Sequence, residues 1–203
     1  GRENVVLLFA DTLVEDADLY DFNRRAEDYL GIEITRLCVG LTPWQLFRKE
    51  HLIANNGAPI CSIRLKREPL NDWMDSNYEL NSEQRNFVKP HGVVVLGFDW
   101  TELHRVNDFQ FKHPSWSVSA PMTDAPFWDK CKMISEAGKV GFKQPKLYEL
   151  GFPHNNCGGA CVRAGISHFV HLLKVLPLVY AEWESEELET IAYFVTLGIK
   201  PLS

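Results

Sequence analysis

The sequence predicts an α/β fold with a doubly wound, mostly parallel sheet, and three observations support this prediction. Two nearly continuous apolar runs, at 4–10 and 92–98, are typical of strands buried on both faces of a parallel sheet. A segment with helical periodicity, 19–30, follows the first run and ends at Gly31. A second strand at 32–37 completes a strand–helix–strand unit, from which doubly wound sheets are built.

The remaining elements follow in chain order. Pro43 begins a short helix, and residues 63–74 are predicted to be helical until Pro69 disturbs them. The polar residues 77–90 predict a loop or a partner-facing segment. Beyond 92–98 we predict a short strand at 116–121 and three helices, at 125–137, 166–176 and 183–190. In the second of these helices His168 and His171 are predicted to be packing or surface residues. The third is acidic and is predicted to be exposed to solvent.

Length and composition predict one domain of ordinary size. The 203 residues are 45% hydrophobic, and we expect a single domain over 1–203 with the region 150–203 packed on it. The net charge of −6 disfavours a general grip on nucleic acid, which relies on neutralising phosphates. No run approaches the roughly 20 apolar residues of a membrane span, so we expect no membrane partner. The chain opens almost within a strand, which suggests that residues precede Gly1 in the natural protein.

Five cysteines favour a reducing, cytoplasmic location, because their number is odd and their spacing is unlike that of a secreted disulfide scaffold. Cys38 and Cys131 lie in strand and helix patterns and are predicted to be core residues. Cys61, Cys157 and Cys161 lie instead in loop-like segments beside glycine.

The segment 154–165, HNNCGGACVRAG, carries most of the reactive residue types. Gly158 and Gly159 allow positive φ and close approach of a ligand, and their turn could form a small anion-binding nest. Three interpretations of the cysteines remain open. With Cys61, the C-x3-C pair could hold a 4Fe–4S cluster with one open iron. With His154 added, the three cysteines and one histidine form a ligand set that suits zinc. Without a metal, Cys157 or Cys161 would be a nucleophile or a persulfide carrier.

Polar residues follow the first and third predicted strands. Asp11 and Thr12 stand at the carboxyl end of the first strand, where open α/β sheets bind ligands. Arg105 follows the third and either binds an anion or pairs with Glu102. The chain contains neither a Walker-type phosphate loop nor G-x-G-x-x-G after a strand.

Four segments resemble one family. They are VVLLFADTLVEDADLYDF, PICSIRLKRE, LGFDWTELHR and KLYELGFPHNNCGGACVRAG, which together extend over most of the chain. They resemble the small phage and bacterial members of the phosphoadenosine phosphosulfate (PAPS) reductase-like group. That group belongs to the adenine nucleotide α-hydrolase, or PP-loop ATPase, superfamily. The resemblance implies a Rossmann-like, three-layer fold.

The resemblance also implies a function. The chain would bind ATP or another adenine nucleotide, with Asp11 and Thr12 contacting its base or ribose side. Arg105 would contact the phosphates or a sulfur-bearing substrate. Lys66 and Arg163 would line the anionic site. ATP would adenylate an acceptor, which sulfur from an iron–sulfur site then attacks. A sulfur-donor protein and a nucleic-acid acceptor are the implied partners.

Two family features are absent from the sequence. The phosphate loop S-G-G-x-D-S lies upstream in relatives, so we expect that the natural N-terminal strand and loop are missing from this chain. The C-terminal E-C-G-L-like motif of true PAPS reductases is also missing. Two alternatives therefore stay open: a nucleotide-binding or interaction module with structural zinc, and a PAPS or APS reductase that uses Cys157 or Cys161.

Overall fold

The chain, here a computed structural model, is described for residues 4–77, 92–114 and 116–200, and it divides into two compact units. The first unit comprises 1–73 and 144–203, and the second comprises 74–143. The described residues confirm the α/β class. Their regular elements are β1 (Leu7–Asp11), α1 (Ala17–Leu30), β2 (Ile34–Cys38), α2 (Pro43–Glu50), α3 (Ile60–Ser62), α4 (Glu68–Asn77), β3 (Val93–Val95), α5 (Leu103–Lys112), β4 (Ser117–Ser119), α6 (Lys130–Lys139), α7 (Lys146–Glu149), α8 (Ile166–Val175) and α9 (Pro177–Thr196).

The predicted strand–helix–strand unit is present at the start of the first unit. β1 and β2 pair in parallel, with Leu7 opposite Ile34. Asp16 caps α1 by accepting a hydrogen bond from the N–H of residue 18. Gly31 ends the helix in the left-handed conformation at φ 66°, as predicted.

The described residues place these strands in two separate two-stranded parallel sheets, β1–β2 and β3–β4. Within the described residues each of these strands has one hydrogen-bonded neighbour, and the apolar runs are less buried than predicted. Val93 and Val95 of β3 are 61% and 67% exposed. The strands are also shorter than the apolar runs that predicted them.

A continuous helical segment runs from α3 to α4 through a π-helical turn at Ile63–Arg67. Pro69 lies just after this turn and does not end the helix, which continues to Asn77. Proline clashes with the carbonyl four residues before it, and a wider π turn relieves that clash. The predicted segment 77–90 lies, apart from Asn77, outside the described residues.

Two core clusters enclose the segment 157–162 in the first unit. Ala160 is fully buried with Leu147, Phe152 and Leu172. Val162 and Cys61 pack against a second cluster, whose buried members are Trp44, Phe47 and Ala54. The cysteine segment is therefore fixed by packing on both sides.

The solvent-exposed helix predicted at 183–190 is present within α9, and the structure corrects the prediction at Trp183 and Thr190. Trp183 packs against both core clusters, and Thr190 is fully buried. Arg48 of α2 donates hydrogen bonds to Glu186 at 2.8 Å and to Thr190 at 3.1 Å. Among the described helices, none has both the length and the apolar character that a membrane span needs.

The second unit contains β3, β4, α5 and α6. The short strand predicted at 116–121 is present as β4, parallel to β3. The helix predicted at 125–137 begins later, at Lys130, because Asp129 caps it by accepting from the N–H of Lys132 at 2.7 Å.

Cys38 and Cys131 are exposed, so the prediction that they are core residues is wrong. Cys38 ends a strand of a two-stranded sheet, which leaves it open to solvent. Cys131 lies in the first turn of α6, none of whose residues is buried.

Candidate functional site

Asp11 ends β1, and its carboxylate is fully buried. Its Oδ1 atom accepts hydrogen bonds from the N–H of Leu13 at 2.7 Å and the hydroxyl of Tyr20 at 2.9 Å. Its Oδ2 atom accepts from Nε and Nη2 of Arg36 at 2.6 and 2.5 Å. Burial and the hydrogen bond to Asp11 raise the pKa of Tyr20 to about 12. Asp11 is thus held by partners inside the fold, and its contact with a nucleotide stays a prediction.

Glu15 carries a second buried carboxylate in the loop before α1, with a side chain only 2% exposed. Its Oε1 atom accepts from the hydroxyl of Thr12 at 2.9 Å and the ammonium of Lys66 at 3.0 Å. Its Oε2 atom accepts from the backbone N–H of Cys157 at 2.9 Å. One carboxylate therefore joins three segments: the end of β1, the π-helical turn and the cysteine segment.

Lys66 lies in the π-helical turn beside Leu65, which is fully buried and fixes the turn against the core. Burial lowers the pKa of Lys66, but the charge of Glu15 and the neighbouring Cys157 and Cys161 outweigh burial and raise it overall. Lys66 therefore presents a positive charge beside two thiols. The structure brings this predicted site residue to the cysteines.

Three successive residues, Cys157, Gly158 and Gly159, adopt positive φ of 50°, 59° and 91°. A Cβ atom on Gly159 would lie 3.3 Å from the side chain of Leu147, and one on Gly158 would lie 3.3 Å from the carbonyl of Val14. Both glycines are therefore required by backbone conformation and close packing. Their predicted role in binding a cofactor is additional to this requirement and stays a prediction.

Hydrogen bonds hold the glycine turn in place. The N–H of Gly159 donates to the carbonyl of Asn156 at 3.0 Å. The Nε2 atom of His168 lies 2.7 Å from the carbonyl of Gly159, and both His168 and His171 pack edge-on against Phe152. These contacts confirm the prediction that both histidines are packing residues.

Cys157 is buried, and a side-chain hydrogen bond with Cys161 is the largest influence on the pKa of both thiols. This hydrogen bond lowers the pKa of Cys161 to about 6, against the opposing effect of partial burial. The backbone N–H of Arg163 and the charges of Arg163 and Lys66 add to the lowering. The same hydrogen bond, together with burial, raises the pKa of Cys157. The two shifts run in opposite directions, so Cys161 ionises more readily than Cys157.

Cys61 is the third cysteine of this group. Burial and the negative charge of Cys161 raise its pKa. The adjacent hydroxyl of Ser62 accepts a hydrogen bond from Nη1 of the exposed Arg163 at 3.3 Å. The structure thus brings together four of the predicted residues, Cys61, Cys157, Cys161 and Arg163, from two segments about 100 residues apart.

His154, the fourth predicted metal ligand, is exposed at the start of the motif. Within residues 4–77, 92–114 and 116–200, no three His, Cys, Asp or Glu side chains are arranged to hold a metal ion. The assignments of an iron–sulfur cluster and of zinc stay predictions.

Arg105 belongs to the second unit. It pairs with Glu102, three residues before it, and its guanidinium lies 4.1 Å from the centre of the Phe98 ring. Of the two roles that the sequence left open, this pairing is observed. An anion-binding role for Arg105 stays a prediction.

Glu15, Tyr20 and Arg36 were not selected from the sequence. The loop between β1 and α1 contains several acidic residues, and nothing in their spacing singles out Glu15. Arg36 could have been found from the parallel register, which places it opposite Phe9 and beside the end of β1.

Comparison with known proteins gives no family assignment, because no family model, curated protein or solved structure matches the chain. The similarity to the PAPS reductase-like group therefore stays a hypothesis carried by the sequence segments quoted above. The structure adds that residues 11–15, 61–66 and 157–163 converge.

Proposed function

We propose that this chain is an adenine-nucleotide-dependent sulfur-transfer domain of the PAPS reductase-like type. The observation that carries the proposal is the convergence of Cys61, Cys157 and Cys161 with the cations Lys66 and Arg163. Few structural roles require three thiols and two cations beside one buried carboxylate. Perturbed thiols next to positive charges are typical of sites where sulfur is the reacting atom.

Cys161 is the proposed sulfur carrier. Its thiolate attacks the outer sulfur of a persulfide donor, R–S–SH. A bond forms between the sulfur of Cys161 and that outer sulfur, the donor's own S–S bond breaks, and R–S⁻ leaves with the electron pair. Lys66 and Arg163 offset the negative charge in this step, and Cys157 holds the attacking sulfur by hydrogen bonding.

The nucleotide part of the proposal comes from the resemblance. In it, β1 and β2 belong to a doubly wound, three-layer sheet of the adenine nucleotide α-hydrolase type, within one cytoplasmic domain over 1–203. ATP would bind past the carboxyl end of β1, which Asp11 and Thr12 form. Because both side chains are already engaged, they would act by shaping this edge. The acceptor activated by ATP would be a nucleic acid.

A 4Fe–4S cluster also fits the chemistry of this donor set. Cys161 raises the pKa of Cys61, and Cys157 and Cys161 shift each other's pKa. Lys66 and Arg163 would balance the charge of three thiolates. A cluster held there would supply an open iron that binds sulfide. The alternative of structural zinc would add His154 and make the chain a nucleotide-binding or interaction module.

A second candidate, PAPS or APS reductase, is favoured by one observation. Cys157 and Cys161 lie four residues apart and shift each other's pKa, and a thiol pair can supply the two electrons that release sulfite from PAPS. Sulfite release from PAPS in the presence of a dithiol would favour this candidate over sulfur transfer.

The test of sulfur transfer uses protein purified without oxygen and incubated with glutathione persulfide. We expect peptide mass spectrometry to find one added sulfur atom on Cys161, lost in Cys161→Ser and retained in the matched control Cys131→Ser. Calorimetry with a non-hydrolysable ATP analogue tests the nucleotide part. Sulfur retained on other cysteines only, or no binding of the analogue, would contradict the proposal.

Metal analysis of the same protein tests the cluster. About four iron and four sulfide per chain, lost in both Cys61→Ala and Cys157→Ala, would support a cluster at these cysteines. Zinc without iron would support the interaction module.

A further inference from the structure

The buried carboxylate of Glu15 links a lysine to the backbone of the cysteine segment. Its Oε1 atom lies 3.0 Å from the ammonium of Lys66, and its Oε2 atom lies 2.9 Å from the backbone nitrogen of Cys157. The hydroxyl of Thr12 also donates to Oε1, at 2.9 Å. Because both oxygens belong to one carboxylate, the ammonium of Lys66 is tied to the cysteine segment through a single side chain.

The segment that carries Cys161 is joined to the π-helical turn at a second point. Nη1 of Arg163 donates to Oγ of Ser62, just before that turn, at 3.3 Å. Cys161 therefore lies between two cross-links, the one through Glu15 before it and this one after it. Because both cross-links lead to the same short helical segment, the ammonium of Lys66 and the thiol of Cys161 are held in one small region of the fold.

The end of the Lys66 side chain depends on Glu15 for its position. The neighbouring Leu65 is fully buried and fixes the backbone of the turn. The lysine side chain itself is one-third exposed, and a flexible, strongly hydrated ammonium extends into water unless a partner holds it. We propose that Glu15 is a positioning residue that holds the ammonium of Lys66 beside Cys161, so that this thiol reacts preferentially with anionic reagents.

The inference rests on the proposed function only in its last step, the use of this charge in sulfur transfer. Attack by a thiolate brings two negative sulfur atoms together, and a cation fixed beside Cys161 offsets that charge. Glu15 acts through Lys66 and does not touch the reacting sulfur. The position of the ammonium can therefore be tested without a sulfur donor.

The second unit offers an exposed counterpart on α6. The ammonium of Lys132 pairs with Glu136 at 2.7 Å, next to the exposed Cys131. The two partners lie one helical turn apart, and Lys132 adjoins Cys131 in the chain. Loss of Glu136 therefore leaves the lysine near its cysteine, which makes this group the matched control.

The test compares the alkylation of Cys161 by iodoacetate, an anion, with its alkylation by iodoacetamide, which is neutral. Both reagents react with the thiolate, so the ratio of the two rates cancels the ionised fraction and reports the charge around the sulfur. Peptide mass spectrometry at low ionic strength measures it in protein purified without oxygen. Lys66→Met should lower the ratio of the anionic to the neutral rate about threefold, the effect of one unit charge across roughly 6 Å of water.

Two variants of Glu15 separate its positioning role from its charge. Glu15→Gln removes a negative charge, which by itself would raise the ratio at Cys161. Loss of the positioned ammonium acts in the opposite direction, and we expect a net fall of about twofold. Glu15→Asp keeps the charge but is shorter by one methylene and cannot reach both partners, so the ratio should also fall about twofold. Because this variant keeps a charged partner for Lys66, it decides the question if Glu15→Gln does not fold.

The control and the contrary results are as follows. Glu136→Gln should leave the ratio at Cys131 unchanged or raise it, and a fall there as large as the fall at Cys161 would overturn the inference. A rise at Cys161 in Glu15→Gln, or no change there in Glu15→Asp or Lys66→Met, would overturn it too. So would protection of Cys161 from both reagents. Sulfur transfer fails on a different result, the absence of added sulfur on Cys161 after incubation with glutathione persulfide.

Discussion

The two parallel strand pairs end in similar sequences but use them differently. Asp11 is the last residue of β1 and Asp99 follows β3, and each accepts a hydrogen bond from the N–H two residues on, at 2.7 and 2.8 Å. Asp11 is fully buried and also holds Tyr20 and Arg36. Asp99 is partly exposed, and its further hydrogen bond is to the side chain of its near neighbour Thr101.

The acidic residues that follow show the same contrast. Glu15 pairs with Lys66, which is 51 residues away, and also binds the cysteine turn. Glu102, in contrast, pairs with Arg105, which is only three residues away in the sequence. A polar residue after a strand thus becomes part of a site only when distant segments supply its partners and remove it from water.

The largest effect on stability is expected for Asp11→Ala. This change leaves a buried N–H and a phenol without an acceptor and should lower the free energy of unfolding of the first unit by about 3 kcal/mol. Asp99→Ala, the matched change, should affect its own unit little, because water replaces the lost contacts. Hydrogen exchange resolved by peptide measures both units. Equal losses of protection would show that the two strand ends do not differ.

Cys157→Ala tests the effect of the buried thiol on Cys161. The pKa of about 6 for Cys161 places the midpoint of its alkylation near that pH in the wild type, with the rate rising above it. Without the hydrogen bond we expect the midpoint to move to higher pH, by less than a full return to the free-thiol value because Arg163 and Lys66 remain, and the rate at pH 6 to fall by roughly 10-fold. Iodoacetamide labelling read by peptide measures this, with Cys131 as the internal control. An unchanged midpoint would show that Lys66 and Arg163 alone activate Cys161.

Glu15→Gln should remove the charge that holds Lys66 while keeping the side chain's size. We expect a loss of about 2 kcal/mol and faster exchange of the Cys157 amide. Glu102→Gln removes the corresponding exposed pair and should cost less than about 0.5 kcal/mol. Denaturant unfolding and amide exchange provide the two readouts. Retained protection at Cys157 would mean that the turn does not depend on Glu15.

The smallest effect is expected for Tyr20→Phe, which keeps the ring and loses one hydrogen bond, at a cost of about 1 kcal/mol. Because the pKa of Tyr20 is raised from 10.0 to about 12, its contribution is intact below pH 10 and is lost as the pH rises towards 12. The stability difference between wild type and Tyr20→Phe should therefore shrink across that range. A difference that stays constant would place the phenol outside the buried network.

The helices with clear local signals were predictable from the sequence. Gly31 ends α1 and Pro43 begins α2, because capping and restricted backbone angles act within a few residues. The paired strands were located, but their burial was not, since burial depends on what covers a sheet. The cysteine motif was singled out by its unusual composition, and its functional role stays a prediction.

What the sequence determined by itself is therefore local: the α/β rhythm, the helix ends and the segment richest in reactive residues. Tertiary structure alone decided that Glu15 joins Lys66 to Cys157, that Arg36 closes on Asp11, and that Cys38 and Cys131 are exposed. The physical reason is the range of the interactions. Caps and turns are set by neighbours in the chain, whereas a buried charge needs partners that packing brings from far along it.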